Sequence, residues 1–196
     1  MQYLKKEIRE RIIAAAVEEF KQHGYSDASI RNISNNAEIS LGNMYRYFSN
    51  KESLYSAIID PFMESIETAL ENEFSFEGKT MKEVAETLVT FLVKYSDELI
   101  IIRKGNSAHR DKFVNYIVDV LSSKIREMVQ GTHPEIDEIV TGRVFYDAVA
   151  EGFLTSLFKV LREDEEHEGL ERYSRELITF YFGHLTDRFA HFDLEE

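Results

Sequence analysis

The stretch that most constrains the fold of this chain is residues 29–54, SIRNISNNAEISLGNMYRYFSNKESL. Ser29 and Ser40 each precede a short run with helical periodicity, and a serine there accepts a backbone N–H that the first helical turn leaves unpaired. The residues 38–40 between the two runs form a tight turn, and a longer helix begins at Lys51. The stretch therefore predicts a helix-turn-helix unit.

The second helix of this unit is predicted to divide its side chains between a core and an outer face. The side chains predicted to face the core are Met44, Tyr45 and Phe48. Those predicted to face outward are Leu41, Asn43, Arg46 and Tyr47. In DNA-binding versions of this unit the second helix enters the major groove. Asn43 suits a base edge, Leu41 suits a thymine methyl group, and Arg46 suits guanine or a phosphate.

These residues resemble the DNA-binding domain of the TetR family of bacterial transcriptional regulators. The resemblance is carried by the first helix ending at Phe20 to Gly24, by Tyr25, by Ser29-Ile30-Arg31-Asn32-Ile33, and by the string Ser40-x-Gly42-x-x-Tyr45-x-Tyr47-Phe48-x-x-Lys51-x-x-Leu54. The residues expected to contact DNA are Ser29, Arg31, Ser40, Leu41, Gly42, Asn43, Tyr45, Arg46, Tyr47 and Lys51. Tyr47 and Lys51 suit phosphates, which fix register rather than sequence.

One residue departs from the family pattern. The turn carries Glu38 where the family commonly has glycine. If this position needs a left-handed backbone, a non-glycine residue there costs about 1 kcal/mol.

The composition favours helices throughout the chain. Among 196 residues there are 2 Pro and 9 Gly, and 43% of the residues are hydrophobic. Cys is absent, which excludes disulfides and cysteine-ligated zinc. No run of apolar residues is long enough for a transmembrane helix, and no apolar signal segment is present, so we expect a cytoplasmic protein without membrane contact.

The net charge of −13 is unusual for a DNA-binding protein, but it is unevenly distributed. Residues 1–55 hold 8 basic and 7 acidic residues, whereas residues 56–196 hold 15 basic and 29 acidic residues. Six basic residues of the first part are candidates for a local basic face: Lys5, Lys6, Arg9, Arg31, Arg46 and Lys51. The pattern indicates a DNA-binding module joined to an acidic companion, although solvated helix surfaces would look the same.

Outside the central stretch, periodicity predicts helices over 3–24, 51–76, 81–103, 109–129, 135–162 and 169–192. Pro61 indicates a kink, or alternatively two separate helices. Residues 99–102 are compatible with a helix or a short strand, and the surrounding pattern favours a helix. Thr80 and Glu83 are spaced as a capping box. The predicted fold is all-α with about nine helices.

The predicted domains are a three-helix helix-turn-helix DNA-binding domain over 1–55 and a helical ligand-binding and dimerisation domain over 56–196. The last two helices, 135–162 and 169–192, are apolar on more than one face, which requires a cover on both sides. A second subunit supplies that cover if the chain is a homodimer, as the resemblance implies. A fully buried helix in a monomer is the alternative.

No pattern for enzymatic chemistry is present. The six His residues form no metal-binding motif, and no phosphate-binding loop or nucleophile motif occurs. We therefore expect no cofactor, no metal and no catalytic residues, and the chain is not expected to be an enzyme.

The resemblance implies a ligand-responsive regulator, most often a repressor, whose dimer binds a palindromic site on double-stranded DNA. An unknown small apolar or aromatic effector would release it. The candidate effector-binding residues are Phe62, Ile66, Phe91, Tyr95, Arg103, His109, Phe113, Tyr116, Phe145, Tyr146 and Phe153. The alternative is a DNA-anchored protein-interaction module without a small-molecule effector, which a closed helical core would favour.

Overall fold

The computed structural model describes residues 2–72, 80–132, 138–163 and 169–184. Within these ranges the chain forms nine α-helices and no β-strand. The helices are α1 (Gln2–Asp27), α2 (Ile30–Asn36), α3 (Leu41–Tyr47), α4 (Lys51–Asn72), α5 (Met81–Lys94), α6 (Ser96–Arg103), α7 (Ser107–Thr132), α8 (Glu138–Glu163) and α9 (Leu170–Phe182). The predicted all-α class is confirmed.

The helices pack as two compact units. Unit 1 comprises Met1–Glu71 and Tyr95–Arg110, and unit 2 comprises Asn72–Lys94 and Asp111–Glu196. In unit 1, α1 packs against α2 and α6, and α2 packs against α3. In unit 2, α9 packs against α5 and α8. Packing does not define function, so the functional division at residue 55 stays a prediction.

Helix α1 supplies the centre of unit 1. Ile12, Ala16 and Phe20 are fully buried at the predicted helical spacing. Gly24 has φ of +73°, and regular helical geometry is interrupted there, as expected from the sequence. A Cβ atom at this position would lie 2.7 Å from the carbonyl oxygen of Lys104, just after α6, so the approach of these two segments requires glycine.

Three predictions about the middle helices have different outcomes. Helix α4 continues through Pro61, so the alternative of two separate helices is wrong. Residues 99–102 are helical and deeply buried, as favoured from the pattern. The predicted single helix over 81–103 is wrong, because the chain forms α5 and α6 with a break at Tyr95. No glycine or proline marks this break.

In unit 2, α5 begins with a capping box and α9 buries one of its faces. The backbone N–H of Thr80 donates to Glu83 Oε2 over 2.8 Å, and the backbone N–H of Glu83 donates to Thr80 Oγ1 over 3.3 Å, which confirms the capping box before α5. In α9 the buried side chains are Leu170, Ser174, Ile178 and Phe182. The rest of the predicted last helix, residues 185–192, lies outside the described residues.

Candidate nucleic-acid interface

The helix-turn-helix unit forms where the sequence predicts it. The backbone N–H of Asn32 donates to Ser29 Oγ over 3.3 Å, and that of Asn43 donates to Ser40 Oγ over 3.2 Å. Both serines have extended backbone geometry, as N-cap residues do. The caps therefore fix where α2 and α3 begin.

The turn between α2 and α3 is left-handed at Glu38, whose φ is +54°. A non-glycine residue in this conformation costs about 1 kcal/mol, so Glu38 carries the strain that was expected if the turn is left-handed. Arg11 of α1 holds the turn, because its Nη2 atom donates to the carbonyl oxygen of Ala37 over 2.6 Å and lies 3.5 Å from that of Glu38. No sequence pattern indicated Arg11, since its partners are backbone atoms more than 25 residues away.

A buried carboxylate holds the start of α2. Glu19 is 4% exposed, and its Oε1 atom accepts from the backbone N–H of Ser29 over 2.8 Å and from Asn32 Nδ2 over 3.3 Å. A negative group at a helix N-terminus is favourable. Sequence reasoning missed Glu19, although a charged residue seven positions after Ile12, on the apolar stripe of α1, was a usable signal.

Four residues of α3 form its exposed face, namely Leu41, Gly42, Tyr45 and Arg46. Leu41 is 41% exposed and Tyr45 is 51% exposed, and a Cβ atom built on Gly42 would meet nothing within 4 Å. The prediction that Tyr45 faces the core is wrong. Met44 and Phe48, four residues apart, take the buried side of this two-turn helix, and Tyr45 follows Met44 by about 100° of rotation.

The other predicted DNA contacts lie around this face with different exposure. Arg31 and Ser40 are exposed, whereas Ser29, Asn43 and Tyr47 are half-buried. Their predicted roles in DNA contact are compatible with this placement and remain predictions.

Lys51, one of the residues predicted to contact DNA, already makes several interactions within the protein. Its Nζ atom donates to the carbonyl oxygens of Ser26 and Ala28 over 2.9 Å and 3.1 Å, and lies 5.0 Å from the centre of the Tyr25 ring. Lys51 therefore ties the segment between α1 and α2 to the start of α4. This is a structural role that the sequence did not indicate.

Three of the residues predicted to form a basic face, Lys5, Lys6 and Arg9, lie on α1. The Arg9 guanidinium lies 5.4 Å from the centre of the Phe48 ring at the end of α3. Lys5 and Lys6 are exposed, although Lys6 lies 3.6 Å from Glu10. Arg31 and Arg46 are also exposed, and the basic face that these residues were expected to form remains a prediction.

A cluster centred on Glu52 links three segments of unit 1. The Tyr25 hydroxyl donates to Glu52 Oε2 over 2.6 Å, and His109 Nε2 lies 2.9 Å from Glu52 Oε1. The rings of Tyr25, Tyr55 and His109 contact one another, with Tyr55 and His109 stacked at 4.4 Å. This cluster fixes the end of α1 against α4 and the first turn of α7.

The two partners in this cluster change each other's acidity. The hydrogen bond from Tyr25 is the main cause that lowers the pKa of Glu52 below its ordinary value of 4.5. Burial, together with the bond to Glu52, raises the pKa of Tyr25 to about 12. Both shifts mean that the tyrosine stays neutral and the glutamate stays ionised over a wider pH range, which are the forms that make this hydrogen bond.

The eleven candidate effector-binding residues are divided between the two units. Unit 1 holds Phe62, Ile66, Tyr95, Arg103 and His109. Unit 2 holds Phe91, Phe113, Tyr116, Phe145, Tyr146 and Phe153. Phe62, Phe113, Tyr146 and Phe153 are buried, whereas Phe145 is 38% exposed. The proposed effector role of these residues remains a prediction.

The described residues contain no group of three His, Asp or Glu side chains placed to hold a metal ion. In the same part of the chain, no helix combines the length and apolar character needed to cross a membrane.

Comparison with known proteins places these features in a family. Residues 12–58 match the model described as bacterial regulatory proteins, TetR family. The chain is similar to the probable HTH-type transcriptional regulator YttP from Bacillus subtilis, with 27% identity over 127 residues. That match covers 64% of this chain and 58% of the regulator, which is less than two thirds of its length.

The fold is similar to those of solved regulators. A TetR-like transcriptional regulator from Rhodococcus sp. RHA1 aligns with a TM-score of 0.65 and 16% identity, over 95% of this chain and 97% of that one. The regulator FadR from Bacillus subtilis, solved in complex with stearoyl-CoA, aligns with a TM-score of 0.57 and 21% identity, over 89% and 98%. The matched family and these neighbours are transcription regulators.

Proposed function

The chain belongs to the TetR family of bacterial transcriptional regulators, and from this premise we propose that it binds a palindromic DNA site as a homodimer and represses transcription until a small molecule releases it. The exposed face of α3 is the observation that carries the proposal. Leu41, Gly42, Tyr45 and Arg46 stand free on a helix whose position is fixed by two caps and a braced turn. Such a helix fits the major groove.

The residues around α3 suit contact with the two sugar–phosphate strands. Arg31 and Arg46 are exposed, and Arg9 is held beside the end of α3 by the Phe48 ring. Phosphate contacts of this kind fix register, whereas the side chains of Asn43, Leu41 and Tyr45 suit contact with base edges and methyl groups.

The dimer is supported by an apolar stripe on the outer side of α9. Tyr173, Leu177 and Phe180 recur at i, i+4 and i+7, away from the buried stripe of the same helix. Phe180 is 70% exposed and Tyr173 is 37% exposed. A second copy packing through α8 and α9 would cover these rings and place two α3 helices on half-sites about 34 Å apart.

A small-molecule effector is supported by the FadR complex with stearoyl-CoA, a ligand with a long apolar chain. The sequence also indicates an apolar or aromatic effector. Such a compound would act only if it binds the conformation that does not fit DNA more tightly than the one that does.

Selection of bound duplexes from a random library, at low salt and with the full chain, tests DNA binding. We expect enrichment of two inverted half-sites, with centres about one helical turn or a small multiple of it apart. Salt titration of the enriched site should give a steep negative slope, because bound phosphates release counterions.

A matched pair of substitutions makes this test specific. Arg46→Ala should lower affinity and reduce the salt slope by about 1. Lys82→Ala removes one positive charge from an exposed position on α5 in unit 2 and should leave binding unchanged. Retention of no duplex at low salt, or equal effects of the two substitutions, would contradict the proposal.

A further inference from the structure

Two charged side chains of α1 contact opposite ends of α2. Glu19 Oε1 accepts from the backbone N–H of Ser29 over 2.8 Å, just before α2 begins, and Arg11 Nη2 donates to the carbonyl oxygen of Ala37 over 2.6 Å, just after it ends. The two side chains are eight residues apart on α1, and their two backbone partners are also eight residues apart, a span of about 12 Å in a helix. The spacing of the two contacts therefore matches the length of α2.

The signs of the two charges match the dipole of α2. The first N–H groups of a helix carry a partial positive charge, and its last carbonyl groups carry a partial negative charge. The acidic side chain lies at the start of α2 and the basic one at its end. Within the described residues Glu19 forms no ion pair with a basic side chain, and Arg11 forms none with an acidic one. Both charges are therefore directed at the ends of the same helix.

Apolar packing by itself defines the position of α2 only loosely. The helix has seven residues, of which Ile33 and Ser34 are buried, and the buried Ala37 follows at its end. A helix this short is not stable alone in water, and apolar contacts have no preferred direction. The directional hydrogen bonds at its two ends therefore decide where α2 lies on α1.

The position of α2 determines the position of α3. The two helices pack against each other, and only residues 37–40 separate them. The Arg11 contact falls on the first residue of this turn, and Ser40 caps α3 at the other end of the turn. Side chains that recognise a partner must be held within about 0.5 Å of their binding geometry. A shift of α2 along α1 would therefore misplace the exposed face of α3.

We propose that Arg11 and Glu19 act together as a clamp on α2, and that this makes them positioning residues for DNA binding by α3. Neither side chain has to touch DNA in this role. The inference rests on the proposed function for its effect on DNA binding, whereas the clamp itself is a property of the protein without DNA.

Amide hydrogen exchange of the full chain without DNA tests the clamp. The reporters are the backbone N–H of Ser29 at one end of α2 and that of Ile39 beyond the other end, which donates to the carbonyl oxygen of Ser34 over 3.0 Å. Arg11→Ala and Glu19→Gln should each speed exchange at both reporters by about threefold or more, because a short helix released at one end also loosens at the other. Effects confined to the substituted end would overturn the clamp.

Matched controls accompany these two variants. Glu18→Gln makes the same change at the neighbouring position of α1, where the side chain is 60% exposed and lies 3.5 Å from Lys21, and it should leave both reporters unchanged. Lys82→Ala is the control for the loss of a positive charge. If Glu19→Gln does not fold, Asn32→Ala takes its place, since it removes an exposed donor to Glu19 and leaves the core intact. It should also speed exchange at the Ile39 reporter.

Affinity for a duplex selected by the wild-type chain tests the positioning role. Arg11→Ala and Glu19→Gln should each weaken binding by about fivefold or more at a temperature where circular dichroism shows every variant folded. For Glu19→Gln the sign is decisive, because the loss of a negative charge by itself strengthens binding to phosphates. For Arg11→Ala the salt slope is decisive: it should stay at the wild-type value, whereas Arg46→Ala should reduce it by about 1. The double variant should lose less than the product of the two single losses, since both act on one element.

The positioning role is overturned if Glu19→Gln binds DNA as tightly as wild type or more tightly. It is also overturned if Arg11→Ala reduces the salt slope by about 1, which would make Arg11 a phosphate contact. A wild-type chain that binds no duplex contradicts the proposed function, and the exchange measurements then still decide whether the clamp exists. Exchange confined to the substituted ends, in a chain that binds DNA, removes the clamp and leaves the proposed function standing.

Discussion

The Tyr25 hydroxyl and the Glu52 carboxylate are joined by a 2.6 Å hydrogen bond, although 27 residues separate them. Their positions connect the end of α1 to the start of α4. The orientation of the helix-turn-helix on α4 therefore depends on a polar contact as well as on apolar packing.

This bond predicts a defined pH window for its contribution to stability. Because the folded pKa of Glu52 is lowered, the contribution is present above its ordinary pKa of 4.5 and is lost as pH falls through the lower folded value. Because the pKa of Tyr25 is raised to about 12, the contribution is also lost as pH rises above the ordinary value of 10.0. Urea unfolding of wild type and Tyr25→Phe should differ by about 0.5–1.5 kcal/mol near pH 7.

Glu52→Gln serves as the control for the acidic limit of this window. The amide still accepts a hydrogen bond but does not titrate, so in a Glu52→Gln background the acid-dependent part of the Tyr25→Phe effect should disappear. A Tyr25→Phe effect that stays constant from about pH 3 to pH 7 in the wild-type background would show that the Glu52 carboxylate is not responsible.

Lys51 is expected to matter for stability through the two carbonyl oxygens that its ammonium group contacts. Lys51→Ala should lower the free energy of unfolding by about 0.5–1.5 kcal/mol, because the carbonyls of Ser26 and Ala28 lose this donor. Lys6→Ala, at an exposed helix position, should cost no more than about 0.5 kcal/mol. The salt slope of DNA binding distinguishes the roles: a decrease of about 1 in Lys51→Ala would show that Nζ also reaches a phosphate.

The left-handed turn at Glu38 predicts a gain of stability on substitution. Glu38→Gly should raise the free energy of unfolding by about 0.5–1 kcal/mol, since the relief of backbone strain exceeds the entropy that glycine adds to the unfolded chain. Glu38→Ala is the control, because alanine removes the charge and keeps the strain. Chemical denaturation that finds equal effects for glycine and alanine would mean that φ of +54° carries no measurable cost.

Adjacent residues of α3 are expected to respond in opposite ways. Tyr45→Ala, at a position that is 51% exposed, should change stability by no more than about 0.5 kcal/mol and weaken DNA binding. Met44→Ala removes a fully buried side chain and should cost about 2–5 kcal/mol. Denaturation and duplex titration of the two variants measure both effects. A large loss of stability in Tyr45→Ala would contradict the exposed position of the Tyr45 side chain.

The apolar stripe of α9, formed by Tyr173, Leu177 and Phe180, predicts that a charge introduced into it prevents dimerisation. Phe180→Glu should give monomers in light scattering and lose tight binding to a two-half-site duplex, because a carboxylate would be buried without a partner. Thr179→Glu adds the same charge one residue away, at an exposed position on a different face, and should remain dimeric. Dimers that persist in Phe180→Glu would place the interface elsewhere.

Local features of this fold were predictable from the sequence, and long-range ones were not. Ser29, Ser40 and the Thr80–Glu83 pair act within one helical turn, so their spacing is enough to identify them. Tyr45 was misplaced because a two-turn helix has too few residues to define its buried side by periodicity. The break at Tyr95 follows from the packing of α5 and α6 in different units, which no local pattern records.

The candidate interface shows the same division. The exposed positions of Leu41 and Arg46 agree with the sequence pattern, whereas the partners of Arg11, Glu19 and Lys51 lie at least ten residues away along the chain. Most of the partners in these contacts are backbone carbonyl and N–H groups, which every residue has and which a sequence pattern therefore cannot identify.

The brace from Arg11 to the turn has a consequence for protein engineering. Residues 29–54 contain both short helices but neither Arg11 nor Glu19, so this segment transplanted alone into another scaffold would lack the groups that hold its disfavoured backbone. A functional graft must include α1 and the beginning of α4. The smallest DNA-binding segment that can be transplanted from this chain is therefore about twice as long as residues 29–54.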